Sequence, residues 1–97
     1  MPAYVVVNIT IRDPGRYEEY KRLATPTVAA YGGRYVARGG PVDGREGGWC
    51  PSRLVILEFP TVERARAWWD SPEYAPAKTV RQSCADTQLV ITEGLPA

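Results

Sequence analysis

From Ala3 to Ile11 apolar side chains recur at every second position. Val5, Val7, Ile9 and Ile11 share one face; Tyr4, Val6, Asn8 and Thr10 share the other. Period two predicts a strand, and the second face is only half polar. The pattern then changes to helical spacing, with Tyr17, Tyr20, Ala24 and Val28 following an Asp13-Pro14 start. Asp can cap a helix, and Pro suits its first position. Pro26 cannot donate a backbone hydrogen bond, so a break is expected near Thr25, with Thr25 recapping a last turn up to Tyr31. Gly32-Gly33 ends the element.

Arg34–Arg38 reads as a second short strand, and the glycine-rich stretch Gly39–Pro51 as a long hairpin loop. Such a loop could also serve as a lid. Arg53–Phe59 is the third strand. Thr61 caps a second helix over Val62–Asp70, and Ser71-Pro72-Glu73-Tyr74 restarts a short helix that runs towards Ser83. Gln88–Glu93 is the last strand, and Gly94–Ala97 a tail. The order β-α-β-β-α-β is the split β-α-β, ferredoxin-like pattern in an α+β domain spanning 1–97. Right-handed crossovers place the third strand between the first two and the fourth beside the first. The four-stranded sheet is then antiparallel, with helices on one face.

That architecture leaves the other face of the sheet uncovered, yet both faces are apolar. Val5, Val7 and Ile9 oppose Tyr4 and Val6; Leu54 and Ile56 oppose Val55, Leu57 and Phe59. A soluble monomer seldom leaves a broad apolar face in water. The expected cover is a second copy of the chain, making a homodimer.

Composition narrows the chemistry. The chain has 97 residues with 12 basic and 11 acidic side chains, a net charge of +1. That balance gives no electrostatic reason to expect nucleic acid or an anionic membrane as partner. No apolar run approaches the roughly 20 residues of a membrane span, and the first residues have no signal-like pattern. The expectation is a soluble, cytoplasmic protein. Cys50 and Cys84 are the only cysteines, and histidine is absent. The commonest metal ligand and neutral-pH base are therefore missing, so His-ligated haem or zinc and Ser-His or Cys-His hydrolysis are excluded, and no cofactor is expected. The two cysteines read as free thiols. The glycine-rich loop joins strand to strand and lacks the phosphate-loop spacing.

Seven residues are candidates for a ligand site. Glu58 ends the apolar run Leu54–Leu57, so it should have a partner. A hairpin register with Arg38 opposite Leu54 puts Arg34 opposite Glu58. The pair could line a pocket, with Glu58 as a catalytic proton acceptor, or be a plain strand-end ion pair. Trp68 and Trp69 point about 100° apart on a helix, so one should pack in the core and the other should face a groove or partner. Trp68 is the candidate for a pocket wall, joined by Tyr20 and Tyr74, whose rings are apolar and whose hydroxyls are polar. Arg81 could hold an anion or be a solvated helix-end residue. Asn8 is either a pocket hydrogen-bonding group or a group satisfied at a dimer seam. The expectation joins Glu58, Arg34 and Trp68 in one pocket.

The runs Tyr31–Gly40, Glu46-Gly47, Val55–Pro60 and Ala67–Tyr74, followed by Arg81, resemble domain-of-unknown-function family 1330 over nearly the whole chain. The resemblance implies a subunit of the dimeric α/β-barrel superfamily, in which two sheets pack face to face. It implies no particular reaction. The superfamily includes cofactor-free monooxygenases, muconolactone-type isomerases and haem-dependent members, and the missing histidines argue against the last. Trp69 departs from the pattern, where a smaller aromatic would be expected. Three functions compete: a cofactor-independent isomerase or monooxygenase acting on a small acidic or aromatic metabolite, a non-catalytic small-molecule-binding module, and a purely structural dimer.

Overall fold

A computed structural model describes residues 1–96; Ala97, the end of the predicted tail, lies outside them. The elements are β1 (Ala3–Ile11), α1 (Pro14–Ala30), β2 (Arg34–Arg38), β3 (Leu54–Phe59), α2 (Val62–Trp69), α3 (Ala75–Cys84) and β4 (Ala85–Glu93). The strands form one antiparallel sheet in the order β2-β3-β1-β4. This is the ferredoxin-like arrangement that the hydrophobic pattern predicts.

The period-two pattern decides which face is covered. Ala3, Val5, Val7 and Ile9 of β1 and Val55, Leu57 and Phe59 of β3 are buried against the helices. They meet Tyr17, Ala24 and Val28 of α1, Ala65 and Trp68 of α2, and Ala77 and Cys84 of α3. Burying one such aliphatic or aromatic side chain is worth about 1.5–3 kcal/mol, so this layer carries the stability of the domain. The opposite face presents Tyr4, Val6, Asn8, Leu54, Ile56 and Glu58, all half-buried, with Val90 exposed.

Local signals explain most element ends. The Asp13 carboxylate accepts from the Arg16 N–H at 3.2 Å, and the Thr61 hydroxyl accepts from the Arg64 N–H at 3.1 Å. Gly32 leaves α1 at φ +79°, a conformation that glycine adopts without steric cost. Ser71 ties the α2–α3 turn, its Oγ donating to the Trp68 carbonyl and accepting from the Tyr74 N–H.

Three expectations about elements need correction. α1 does not break at Thr25; it runs unbroken through Pro26. Pro26 and Arg22 both lie on the exposed side, so water can satisfy the carbonyl that proline leaves unbonded, and the Thr25 hydroxyl donates to the Lys21 carbonyl at 2.8 Å. β4 begins at Ala85 rather than Gln88, because Ala85, Asp86 and Thr87 pair with Ile11, Thr10 and Ile9. Arg34 does stand opposite Glu58, but a bulge between Tyr35 and Ala37 puts Arg38 opposite Val55, not Leu54. A bulge inserts one extra residue and turns the side chains beyond it to the other face. Arg34 therefore points to the open face and Arg38 to the helical side.

Candidate functional site

The candidate residues separate onto the two faces of the sheet. On the open face, the Arg34 Nε donates to Glu58 Oε1 at 2.7 Å, and the Tyr4 hydroxyl donates to Glu58 Oε2 at 3.4 Å. The Glu58 side chain is 23% exposed and that of Arg34 72%, so the pair is half in water. Asn8 lies on the same face and donates through Nδ2 to the Gln88 side-chain oxygen at 3.1 Å. Trp68 is on the other side of the sheet, 1% exposed, with its Nε1 donating to the Thr27 hydroxyl at 3.1 Å. The expected pocket joining Glu58, Arg34 and Trp68 is not formed within one chain, because strand alternation puts Glu58 and the helical layer back to back.

On the helical side, Tyr20, Tyr74 and Arg81 do come together. The Tyr20 and Tyr74 hydroxyls are 3.0 Å apart and hydrogen-bonded. Tyr74 packs against Trp68, with ring centroids 4.1 Å apart. The Arg81 guanidinium carbon lies 5.8 Å from the Tyr20 ring centre and 5.6 Å from that of Trp69. Arg81 is only 2% exposed, yet none of the five ion pairs among the described residues includes it. Its Nε has no hydrogen-bond partner among the described residues. A buried donor without a partner is rare and costly, and a buried charge without one more so.

That guanidinium borders a groove of about 480 Å³ between α2–α3 and the edge strand, lined by Trp69, Arg81, Gln82, Thr87, Leu89 and Ile91. Trp69 is thus the groove-facing tryptophan and Trp68 the core one. Lys78 braces Trp69 from a second direction, its Nζ 4.1 Å from the indole centre and donating to the Trp69 carbonyl at 2.8 Å. No carboxylate or thiol lines the groove. Burial, and then the neighbouring Tyr74, hold Tyr20 protonated far above the usual tyrosine range. Burial also raises Tyr74, with Arg81 opposing it. Both hydroxyls are therefore neutral, one donating to the other, and neither is a base near neutral pH. Burial likewise raises the Cys84 thiol. The cluster suits holding an anion by charge and hydrogen bonds better than moving a proton.

A second opening lies under α1. A narrow cavity of about 20 Å³ is bounded by Val7, Ile9, Val28, Val55, Leu57 and Trp68, with Tyr17, Tyr20 and Tyr35 and the cations Lys21, Arg38 and Arg53 completing its wall. Sequence reasoning missed Trp69, Arg38 and Arg53. The tryptophan pair carried a signal, since one of the two had to leave the core. Arg38 carried none, because its face depends on the bulge.

Comparisons with known proteins agree with this fold. The chain matches the family model "Domain of unknown function (DUF1330)" over residues 2–95. No curated protein matches it. Among solved structures, the RPA0582 protein of unknown function from Rhodopseudomonas palustris is similar at 21% identity and TM-score 0.77, covering 99% of this chain and 84% of that one. SnoaB, a cofactor-independent oxygenase from Streptomyces nogalater, is similar at 15% identity and TM-score 0.70, covering 99% and 95%. A dimeric ferredoxin-like protein of unknown function from Jannaschia sp. CCS1 is similar at 14% identity and TM-score 0.66, covering 97% and 100%.

Proposed function

This chain belongs to domain-of-unknown-function family 1330, and on that premise we propose that it is a cytoplasmic homodimer that binds a small aromatic carboxylic acid. The observation that carries the reading is Arg81: a buried guanidinium with no acidic partner, at the edge of an open groove. A ligand carboxylate would supply the missing charge and accept from the free Nε, in the planar geometry that suits arginine. Trp69, Leu89 and Ile91 offer an apolar wall for the rest of the ligand, and Thr87 a polar contact. No metal or cofactor is called for in this reading.

Dimerisation has separate support. The face carrying Val6, Leu54, Ile56 and Val90 has no cover among the described residues. A neighbour of the same fold is described as dimeric. A permanent interface of this kind buries more than about 2,000 Å² in total. The two free cysteines fit a reducing compartment.

A second reading, a cofactor-independent isomerase or monooxygenase, is favoured by Glu58. It is a half-buried carboxylate on the face where a second copy would enclose it, beside Asn8, Tyr4 and Arg34. In that case Glu58 would accept a proton from a ligand held at the seam. Thermal unfolding and Trp fluorescence with benzoate separate the readings. Benzoate should raise the melting temperature saturably and change Trp emission, and both responses should vanish in Arg81→Gln but survive in Glu58→Gln. No response from wild type, or an equal response from Arg81→Gln, would refute the Arg81 site. Loss only in Glu58→Gln would favour the second reading.

A further inference from the structure

Lys21 of α1, Arg38 of β2 and Arg53, just before β3, close on one opening. They line both the narrow cavity under α1 and an outer basin of about 530 Å³, whose remaining wall is Glu18, Arg22 and Thr25. Four of the chain's 12 basic side chains thus surround one opening, with one acid among them. Glu18 is committed to Lys21, at 2.8 Å. Neither Arg38, Arg53 nor Arg22 belongs to any ion pair among the described residues.

Like charges that share an opening repel, and free arginines would fan out into water. Here the two that reach the cavity are pinned by neutral groups. Arg38 donates to the Thr25 hydroxyl at 2.9 Å and lies 4.0 Å over the Tyr35 ring. Arg53 donates through Nε to the Tyr17 hydroxyl at 3.1 Å and lies 5.1 Å from that ring centre. Its far side is backed by Gly39, where φ is +74° and an added Cβ would collide with the guanidinium. The fold spends a bulge on turning Arg38 inwards and a glycine on seating Arg53. Two guanidinium groups are held in place with their charge unanswered.

We infer that this cationic collar is a second ligand site, independent of Arg81, that takes a phosphate dianion bearing a small apolar group. Two unpaired arginines, Arg38 and Arg53, match a dianion better than a carboxylate, because phosphate offers more acceptor oxygens to donors arriving from separate directions. The apolar group points inwards. A cavity of about 20 Å³ holds little more than one water-sized or methyl-sized group, and its inner wall is aliphatic. Bulkier substituents must stay in the basin.

The test is titration of the full chain with inorganic phosphate and with methyl phosphate at constant ionic strength, read by calorimetry and by melting temperature. Both should bind saturably, methyl phosphate more tightly, and raising the salt should weaken both. Arg38→Gln, an exposed position that leaves the core intact, should weaken binding by roughly tenfold or more, the loss expected when a hydrogen bond to a charged group is removed. Arg81→Gln should bind methyl phosphate as wild type does while losing benzoate. Unsaturable binding, equal affinity in Arg38→Gln, or methyl phosphate binding no better than inorganic phosphate overturns the inference. So does loss of phosphate binding in Arg81→Gln alone, which would place the anion in the groove instead.

Discussion

Arg81→Met inverts the usual rule for a buried position. Truncating a large buried side chain normally destabilises: Leu, Ile or Met to Ala costs about 2–5 kcal/mol and an aromatic to Ala about 3–5. Arg81, 2% exposed, is as buried as those. Its unpartnered Nε, however, stands against stability by about 1–3 kcal/mol, the desolvation cost of an unmade hydrogen bond. The two aromatic contacts lie at 5.6 and 5.8 Å, near the outer limit of the interaction, and return about 0.5–1 kcal/mol each. Methionine keeps most of the apolar stem and removes the charge. Without ligand, Arg81→Met should therefore range from about 1 kcal/mol less stable to about 2 kcal/mol more stable, each kcal/mol moving the midpoint by about 4–8 °C in a domain of this size. With benzoate at a hundred times its dissociation constant, wild type should gain about 2.7 kcal/mol and the variant nothing, so wild type becomes the more stable of the two. Urea unfolding at fixed protein concentration, with and without benzoate, measures both. A ligand-free loss above about 1 kcal/mol would show that Arg81 has a structural partner and would refute the reasoning.

Other outcomes are equally specific. Glu58→Gln should cost about 0–1 kcal/mol in urea unfolding, because the Arg34 partner is largely exposed; a loss of 3 kcal/mol or more, in the range of about 3–5 typical of a broken buried pair, would mean that the assembled protein buries it. Thr27→Val strands the buried Trp68 N–H and should cost about 1–3 kcal/mol in the same assay. Val6→Asp puts a charge on the open face and should convert a dimer to monomer or unfolded chain by light scattering; an unchanged dimer would place the interface elsewhere. Tyr20 keeps its proton in the folded state above the pH at which the unfolded chain releases it. Stability should hold below about pH 10 and fall as pH rises beyond it, and the fall should be shallower in Tyr20→Phe.

The strand pattern made the fold legible because period-two alternation in β1 and β3 names the buried face directly. The caps at Asp13 and Thr61 were equally readable, being short-range chemistry. The site was less so. Tyr20, Tyr74 and Arg81 were visible as residue types, but their convergence depends on how α1 lies against α3, which no local spacing encodes. Glu58 and Trp68 were wrongly joined because apolar context signals burial without saying on which side of the sheet. Pro26 signals a break that α1 does not make, since a missing donor matters little where the orphaned carbonyl faces water. The first three residues of β4 are not legible in the sequence, since Ala85, Asp86 and Thr87 show strand character only through their pairing with β1.

The bulge at Val36 makes β2 a strand whose parity changes along its length. Residues four apart on a regular strand do the same job, so a single substitution at one tends to be tolerated by the other. Arg34 and Arg38 cannot cover for each other in this way, because one serves the surface open to a second copy and the other the opening under α1. What divides them is that Val36, 49% exposed, stands outside the pairing as the one extra residue of β2. Deleting it would leave a regular ladder, with Arg34 still opposite Glu58 and Arg38 still opposite Val55, so each charge would keep its face. A β2 that kept its length but lost the bulge would instead set Arg38 opposite Leu54, and that change of pairing alone would rewire charge between the two surfaces.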